Sequence, residues 1–462
     1  MFKCTGICSL CGRCHRIERS IDSDDRKTKL LFLPEDFQPD TGEQGYGIAF
    51  DIGTTTVVGI MWDLFCGKPV GSVSMTNPQI KYGSDVISRI AFSSREGNLS
   101  VLHAAVIDCL NSIVEKICEQ YEIKRESIVR AVACGNTTMS HLLLGIDPKS
   151  LAVAPFLPAY EGTVIRSAGE LGLKISENAA VTVIPNIAGH VGGDITAGIL
   201  ATRLQNLDGN RLLVDIGTNG EIVLISNGKM SACSTAAGPA FEGASIYQGM
   251  RAADGVIERV RIKDGDVELG VIGESVPIGI CGSGLIDCVA QMVKNGIADS
   301  TGRMLSAEEY TEKYGESPLA ERLVEDEQGR KMILVSKSDS DDVVITQKDI
   351  REVQLAKAAI ISGIRLMMKK AGITAGMIDA IYLAGAFGNF IDKESAVTIG
   401  LLPDTEYDKI VSVGNSAGAG ALMALACSKE QNRIRQIPEK VTHIDLSAEA
   451  EFQKEFLNAM SF

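Results

Sequence analysis

The chain has 462 residues, 45% of them hydrophobic and 23% charged, an ordinary globular composition with room for two or three domains. Its net charge of −14 argues against general nucleic-acid binding. No apolar run reaches the roughly 18 residues of a membrane-spanning helix, so no membrane is expected as a partner. Met1-Phe2-Lys3-Cys4 lacks the apolar core of a signal peptide, and a cytoplasmic location follows, where disulfides are rare.

Four of the twelve cysteines stand at the front: Cys4, Cys8, Cys11 and Cys14. This spacing puts four thiols on one short loop. A [4Fe–4S] cluster needs four cysteine ligands, and the tight run resembles those of bacterial ferredoxins without reproducing their spacing. Four cysteines also make closed zinc sites, although these use two knuckles separated by a longer loop. Uncoordinated thiols are the third reading. The first three cysteines match the radical-SAM triplet too, but the repeated β/α strands of such a barrel are missing. The other eight cysteines are scattered, several in apolar surroundings, and buried inert thiols are the default for them.

Residues 1–15 form this head, and residues 16–45 read as a charged, turn-rich linker. A flexible connector of about thirty residues would reach roughly 27–33 Å by random-coil scaling. The first α/β domain is expected over 46–205. It opens with the strand Gly47–Asp51 and its hairpin partner Val57–Trp62, and continues through a helix over Val101–Tyr121. A strand over Ile128–Cys134 precedes the helix Thr138–Leu144. The strand Val181–Pro185 leads through a glycine turn into a helix from Asp194 to Leu204. The opening motif then returns: Leu212-Leu213-Val214-Asp215-Ile216-Gly217-Thr218 repeats the form of Ile48-Ala49-Phe50-Asp51-Ile52-Gly53-Thr54. The repeat distance is too long for a solenoid, so two homologous domains facing each other are expected, the second over 206–462. Within it come a hairpin over Ile257–Ile272, helices over Gly282–Ile297 and Gln347–Ala371, and a charged insertion near 299–345. The strands Ala380–Ala384 and Ile410–Gly414 follow, then a small-residue helix over Ser416–Cys427.

Phosphates need convergent N–H donors and an uncrowded backbone. Gly53, Thr54, Thr55 and Thr56 offer these at a hairpin tip, and Gly217, Thr218, Asn219 and Gly220 repeat them. Asp51 and Asp215, at the strand ends, are candidate Mg²⁺ holders because hard cations prefer oxygen. One such hexapeptide alone is better read as a plain tight turn. Two at matching points of a duplicated fold point to ATP. No Walker A loop is present.

The two Asp-Ile-Gly-Thr segments resemble the phosphate motifs of the actin-like superfamily of acetate and sugar kinases, Hsc70 and actin. Gly189–Asp194 resembles its first connecting segment, Gly414–Gly420 the second, and Leu383–Gly388 its adenosine motif. The resemblance implies an α/β fold of duplicated actin-like (ribonuclease H-like) ATPase domains carrying a short N-terminal Fe–S head. It also implies adenosine contacts from Gly385, Ala386, Phe387 and Gly388. Asp194 stands where that superfamily often places a catalytic carboxylate, so the catalytic set is Asp51, Asp194 and Asp215. The alternative for Asp194 is to cap its helix.

Asn77-Pro78-Gln79, Tyr82–Ile90, Cys134–Met139, Ala237–Ala244 and Ile280–Asp287 are similar to segments of the reductive activators of corrinoid proteins. That resemblance implies ATP-coupled reduction of Co(II) to Co(I) by one electron from the Fe–S cluster. Its cofactors would be ATP, Mg²⁺ and a [4Fe–4S] cluster. Its partners would be a corrinoid protein of a methyltransferase system and a low-potential electron donor, with a homodimer as one allowed assembly. An activator of a radical dehydratase or double-cubane reductase is the nearest competitor. An ATP-regulated binding module, or a kinase with a zinc head, is the non-redox one.

Overall fold

The computed structural model describes residues 33–327, 329–336, 342–385, 388 and 390–462. Cys4, Cys8, Cys11 and Cys14 lie outside the described residues, as do Ala386 and Phe387.

The first lobe holds β1 (Tyr46–Ile52), β2 (Thr56–Asp63), β3 (Lys68–Thr76), β4 (Ile128–Gly135), β5 (Val164–Ser167) and β6 (Ala180–Val183). They form one sheet in the order β3-β2-β1-β4-β6-β5. In the second lobe, β7 (Arg211–Ile216), β8 (Gly220–Ser226) and β9 (Lys229–Thr235) come first. A small sheet of β10 (Val256–Lys263), β11 (Asp266–Val271) and β12 (Gly279–Ile280) is followed by a second of β13 (Leu323–Asp326), β14 (Gly329–Val335) and β15 (Val343–Thr346). Finally β16 (Ala380–Ala384), β17 (Ile410–Gly414) and β18 (Val441–His443) complete the main sheet, ordered β17-β16-β7-β8-β9-β18.

The duplication read from two hexapeptides therefore extends over five strands. In each lobe an antiparallel meander, β1-β2-β3 or β7-β8-β9, is extended on its first strand by parallel neighbours, β4 and β6 or β16 and β17. The first strands read as continuous apolar runs because helices cover both faces: Ile48, Ala49 and Phe50 are fully buried, as are Leu212 and Val214. Two strands had no periodic signal. β3 is a half-exposed edge strand, and β9 is built from small residues such as Ser231, Ala232 and Ser234. The segment expected as a charged insertion is partly core: Leu323, Met332, Leu334 and Val343 join the cluster that includes Ile350, Val353 and Ile360 of the helix Gln347–Ala371.

The helices Gly193–Ala201 and Ser416–Ala426 cross between the two main sheets. Their core cluster also takes in Ala49 and Ile60 from the first lobe and Leu213 and Val223 from the second. Small residues permit the crossing: a Cβ on Gly420 would lie 2.0 Å from the Ala197 carbonyl oxygen.

The linker expected over 16–45 is docked where it is described. Leu33 and Phe37 pack on that interlobe cluster, the Asp40 N–H donates to the Ala426 carbonyl (2.8 Å), and Arg203 pairs with Asp36 (3.1 Å). Residues 33–45 are thus held against the lobes by these contacts. Among the described residues no helix is long and apolar enough to cross a membrane.

Candidate functional site

Both hairpin tips are closed by the glycine N–H, the first over one residue more than the second: Ile52 pairs with Val57, and Ile216 with Gly220. The Gly53 N–H donates to the Thr56 carbonyl and the Gly217 N–H to the Asn219 carbonyl, both at 3.0 Å. Gly53 is required by close approach, since a Cβ there would sit 2.7 Å from the Thr56 oxygen. Each tip follows directly on a strand that delivers one carboxylate, Asp51 from β1 and Asp215 from β7.

The first loop is braced from behind by segments singled out in the sequence only for family likeness. The Asn77 amide donates to the Gly53 carbonyl (2.9 Å), Arg89 Nη2 to the Thr54 carbonyl (2.6 Å) and the Asn136 amide to the Thr54 hydroxyl (2.9 Å). Asn77, Gln79 and Arg89 are completely buried. Their side chains shape the loop. Arg89 also donates to the Gly83 carbonyl (2.9 Å), and among the described residues no carboxylate pairs with it directly. Burial pushes its pKa down to about 10, with Asp85 opposing. Replacing Arg89 with Met would strand two carbonyls, at about 1–3 kcal/mol per buried orphan. A loss of about 2–4 kcal/mol in denaturant titration is expected, together with weaker nucleotide binding; an unchanged titration midpoint would show that the guanidinium is dispensable.

Four carboxylates converge on the cleft floor. Burial pushes Asp51 up to about 6, with opposing hydrogen bonds from Asn415 and Cys134. Asp215 rises to about 7, first by burial and then by the charges of Asp194 and Asp51. Asp194 and Glu221 are raised for the same reasons, burial first and neighbouring carboxylates second. Asp194 does not cap its helix: Gly192 is the N-cap, and the Asp194 carboxylate accepts from the Ile195 N–H (2.8 Å) inside the first turn. Gly192 is held tight, since a Cβ would lie 2.4 Å from Asn136 Cα. That contact packs the turn before Asp194 on the residue bracing Thr54. His190, the other polar side chain of this segment, packs its ring at a tilt against Phe156, with centroids 4.8 Å apart.

Gly385, at a φ of +93°, folds over Asp215; a Cβ would meet the Ile216 carbonyl at 2.7 Å and Asp215 Oδ1 at 2.9 Å. Gly388 donates its N–H to the Gly385 carbonyl (3.1 Å). Three functional candidates escaped sequence reading. Asn415 donates its amide to Asp51 Oδ2 across the lobes (2.8 Å). Glu221 follows the second loop directly. Glu242 accepts from the Thr55 hydroxyl (3.2 Å) and the Thr218 hydroxyl (2.9 Å), touching both loops. Cys134 is buried as expected of a scattered thiol, with Sγ 3.9 Å from Asp51 Oδ1.

Two family models divide the described lobes between them. That for the RACo middle region matches residues 46–207, and that for the C-terminal, ASKHA domain of RACo matches residues 209–462. The chain belongs to this family. It is 38% identical over 418 residues to the corrinoid activation enzyme RamQ of Eubacterium limosum, covering 89% of this chain and 69% of that one. It is 25% identical over 450 residues to the [Co(II) methylated amine-specific corrinoid protein] reductase of Methanosarcina barkeri, covering 90% and 77%. A solved structure, the reductive activator for corrinoid, iron-sulfur protein, superposes with a TM-score of 0.81 at 38% identity, over 92% of this chain and 67% of that one. Membership gives the duplicated α/β core its family: an actin-like ATPase domain forms the C-terminal part.

Proposed function

We propose that this protein reductively activates corrinoid proteins, returning Co(II) to Co(I) at the expense of ATP. The observation that carries the reading is the pair of phosphate loops, each with its own aspartate, on facing lobes of a chain that shares 38% identity with a corrinoid activation enzyme. Gly53 and Gly217 shape the two tips, and the loop amides and hydroxyls of Thr54, Thr55 and Thr56 and of Thr218, Asn219 and Gly220 bind the phosphates from two sides. Gly385, Ala386, Phe387 and Gly388 bind the adenosine.

Asp51 and Asp215 fit Mg²⁺. Both are buried oxygen donors at the strand ends, directly before the two loops. Among the described residues no three His, Cys, Asp or Glu side chains converge closely enough to hold a metal ion alone. That suits Mg²⁺, which keeps several waters and arrives bound to phosphate. Asp194, beside both, orients the attacking water. For the cluster, the donor set of Cys4, Cys8, Cys11 and Cys14 fits [4Fe–4S], which would supply a one-electron carrier. The protein's own part is to bind ATP between two lobes joined by the crossed helices Gly193–Ala201 and Ser416–Ala426, so that hydrolysis changes how the lobes meet. Held by those four thiolates, a cluster would pass one electron from a low-potential donor to the corrinoid protein of a methyltransferase system.

The test follows cobalt spectroscopically under anaerobic conditions with a chemical reductant and a Co(II) corrinoid protein from the same cell. ATP should raise the Co(I) yield; equal yields with and without ATP would refute coupling. The double variant Cys8→Ala, Cys11→Ala should lose iron and Co(I) formation yet keep ATP hydrolysis. Stoichiometric zinc without iron in the parent protein would remove the cluster from the account.

A further inference from the structure

Glu242 occupies an unexpected position for a carboxylate. It lies in the single 3-10 turn Ala240–Glu242, just after the second lobe's meander. Its two oxygens divide between the lobes: Oε2 accepts from the Thr55 hydroxyl of the first phosphate loop, Oε1 from the Thr218 hydroxyl of the second. One half-buried side chain therefore bridges the cleft at the donors assigned to ATP.

A triphosphate and Glu242 cannot share those donors. Each hydroxyl has one proton to give, and the two acceptors carry like charge in a partly desolvated cleft that already holds four carboxylates. Either the nucleotide displaces Glu242 or Glu242 excludes the nucleotide.

The surroundings show what such a displacement would move. Gly243, at a φ of +81°, packs on the chain of Gly249 and Met250; a Cβ would sit 2.8 Å from the Met250 nitrogen. The next residue, Arg251, donates to the Thr76 hydroxyl of the first lobe (3.4 Å). Thr76 pairs in register with Thr56, the neighbour of Thr55. Segment 240–251 thus grips one edge of the first lobe at two points, and Glu242 is the point that a phosphate contests.

We propose that Glu242 is a positioning residue that latches the two phosphate loops together without nucleotide and is displaced by the phosphates of Mg²⁺-ATP, so that nucleotide binding releases segment 240–251 from the first lobe. This rests on the nucleotide assignment above and deepens it. Binding energy is partly used to break the latch, which makes affinity modest and couples occupancy to lobe geometry.

The experiment is calorimetric titration of the full chain with the β,γ-imido analogue of ATP and Mg²⁺, on the parent, Glu242→Gln and Glu242→Ala. Removing the competitor should tighten binding by about tenfold in Glu242→Ala, the equivalent of one hydrogen bond to a charged group, and by less in Glu242→Gln. Damage to the fold would weaken binding instead, so tightening cannot come from a merely structural role. Melting without nucleotide should fall in both variants, and the nucleotide-induced rise should be larger than in the parent. Unchanged or weaker binding in both variants would overturn the latch, weaker binding assigning Glu242 to metal or nucleotide contact. No binding by the parent itself would overturn the nucleotide reading beneath it. Should Glu242→Ala fail to fold, the isosteric Glu242→Gln decides alone.

Discussion

Replacing Asp51 or Asp215 with Asn is expected to lower ATP turnover by about 100-fold or more while raising the melting temperature of the nucleotide-free protein at pH 8. The activity loss follows from removing a charged oxygen at the point where Mg²⁺ and the developing phosphate charge would sit. The stability gain has the opposite sign for a physical reason. Burial holds the two carboxyls at about 6 and about 7, above the ordinary 3.8, so the folded protein binds their protons more tightly than the unfolded chain does. The stabilisation this provides is complete below 3.8 and is lost as pH rises through 6 to 7. At pH 8 each ionised carboxylate is a buried charge without a cation, and an amide is the better tenant. At pH 4 the advantage of Asn should shrink. Turnover at limiting Mg²⁺ should rise between pH 6 and 8 as both groups ionise. Saturating Mg²⁺ should move that rise to lower pH, because the cation favours the charged form. Thermal melting at the two pH values, alongside a steady-state ATPase assay, reads both effects. Variants that hydrolyse ATP at the parent rate, or melt lower at pH 8, would sink the assignment.

The second large effect is expected at the crossing of the two interlobe helices. Gly420→Val would place a β-branched side chain where even a Cβ comes within 2.0 Å of the Ala197 carbonyl, with Gly198 already near the Ser416 hydroxyl. Overpacking a tight core costs about 1–3 kcal/mol, and more where backbone must part. At about 2–4 °C per kcal/mol, melting should fall by roughly 10 °C, and ATP turnover should fall with it because the helices carry Asp194 and Asn415 at their starts. Gly376→Ala is the control. Nothing lies within 4 Å of its would-be Cβ, and it should melt like the parent. Circular dichroism on both variants checks the pair; equal melting would mean the helices can separate without consequence.

Much of this architecture was legible in the chain itself. The repeated apolar-Asp-Ile-Gly-Thr run located both first strands, both tips and both aspartates, because a buried strand leaves a continuous apolar signature and a close-packed tip demands glycine. The long helix Gln347–Ala371 was placed with its observed bounds; sixteen of its residues are buried, in an unbroken run from Ala356 to Ile364 at its centre. The turn between β10 and β11 falls at Asp264 and Gly265, both at positive φ, where Asp-Gly called for it. Edge strand β3 and the small-residue strand β9 were invisible because neither carries alternation strong enough to exceed its surroundings. The core role of Leu323, Met332, Leu334 and Val343 was hidden by the charge around them.

What only the tertiary structure decided is which polar side chains meet. Asn415 and Asp51 lie 364 residues apart, Glu242 and Thr55 187, and Asn136 and Thr54 82. Burial of apolar side chains is periodic along an element and so can be read locally. A hydrogen bond between two distant loops depends on how two sheets and their crossing helices stack, and it leaves no period in either segment. The sequence by itself determined a duplicated α/β core with paired Asp-Ile-Gly-Thr loops and a four-thiol head. The fold decided that Arg89 and Asn77 hold the first loop from beneath, that Asp194 does not cap its helix, and that Glu242 spans the cleft, because each depends on packing that brings remote segments within 3–4 Å.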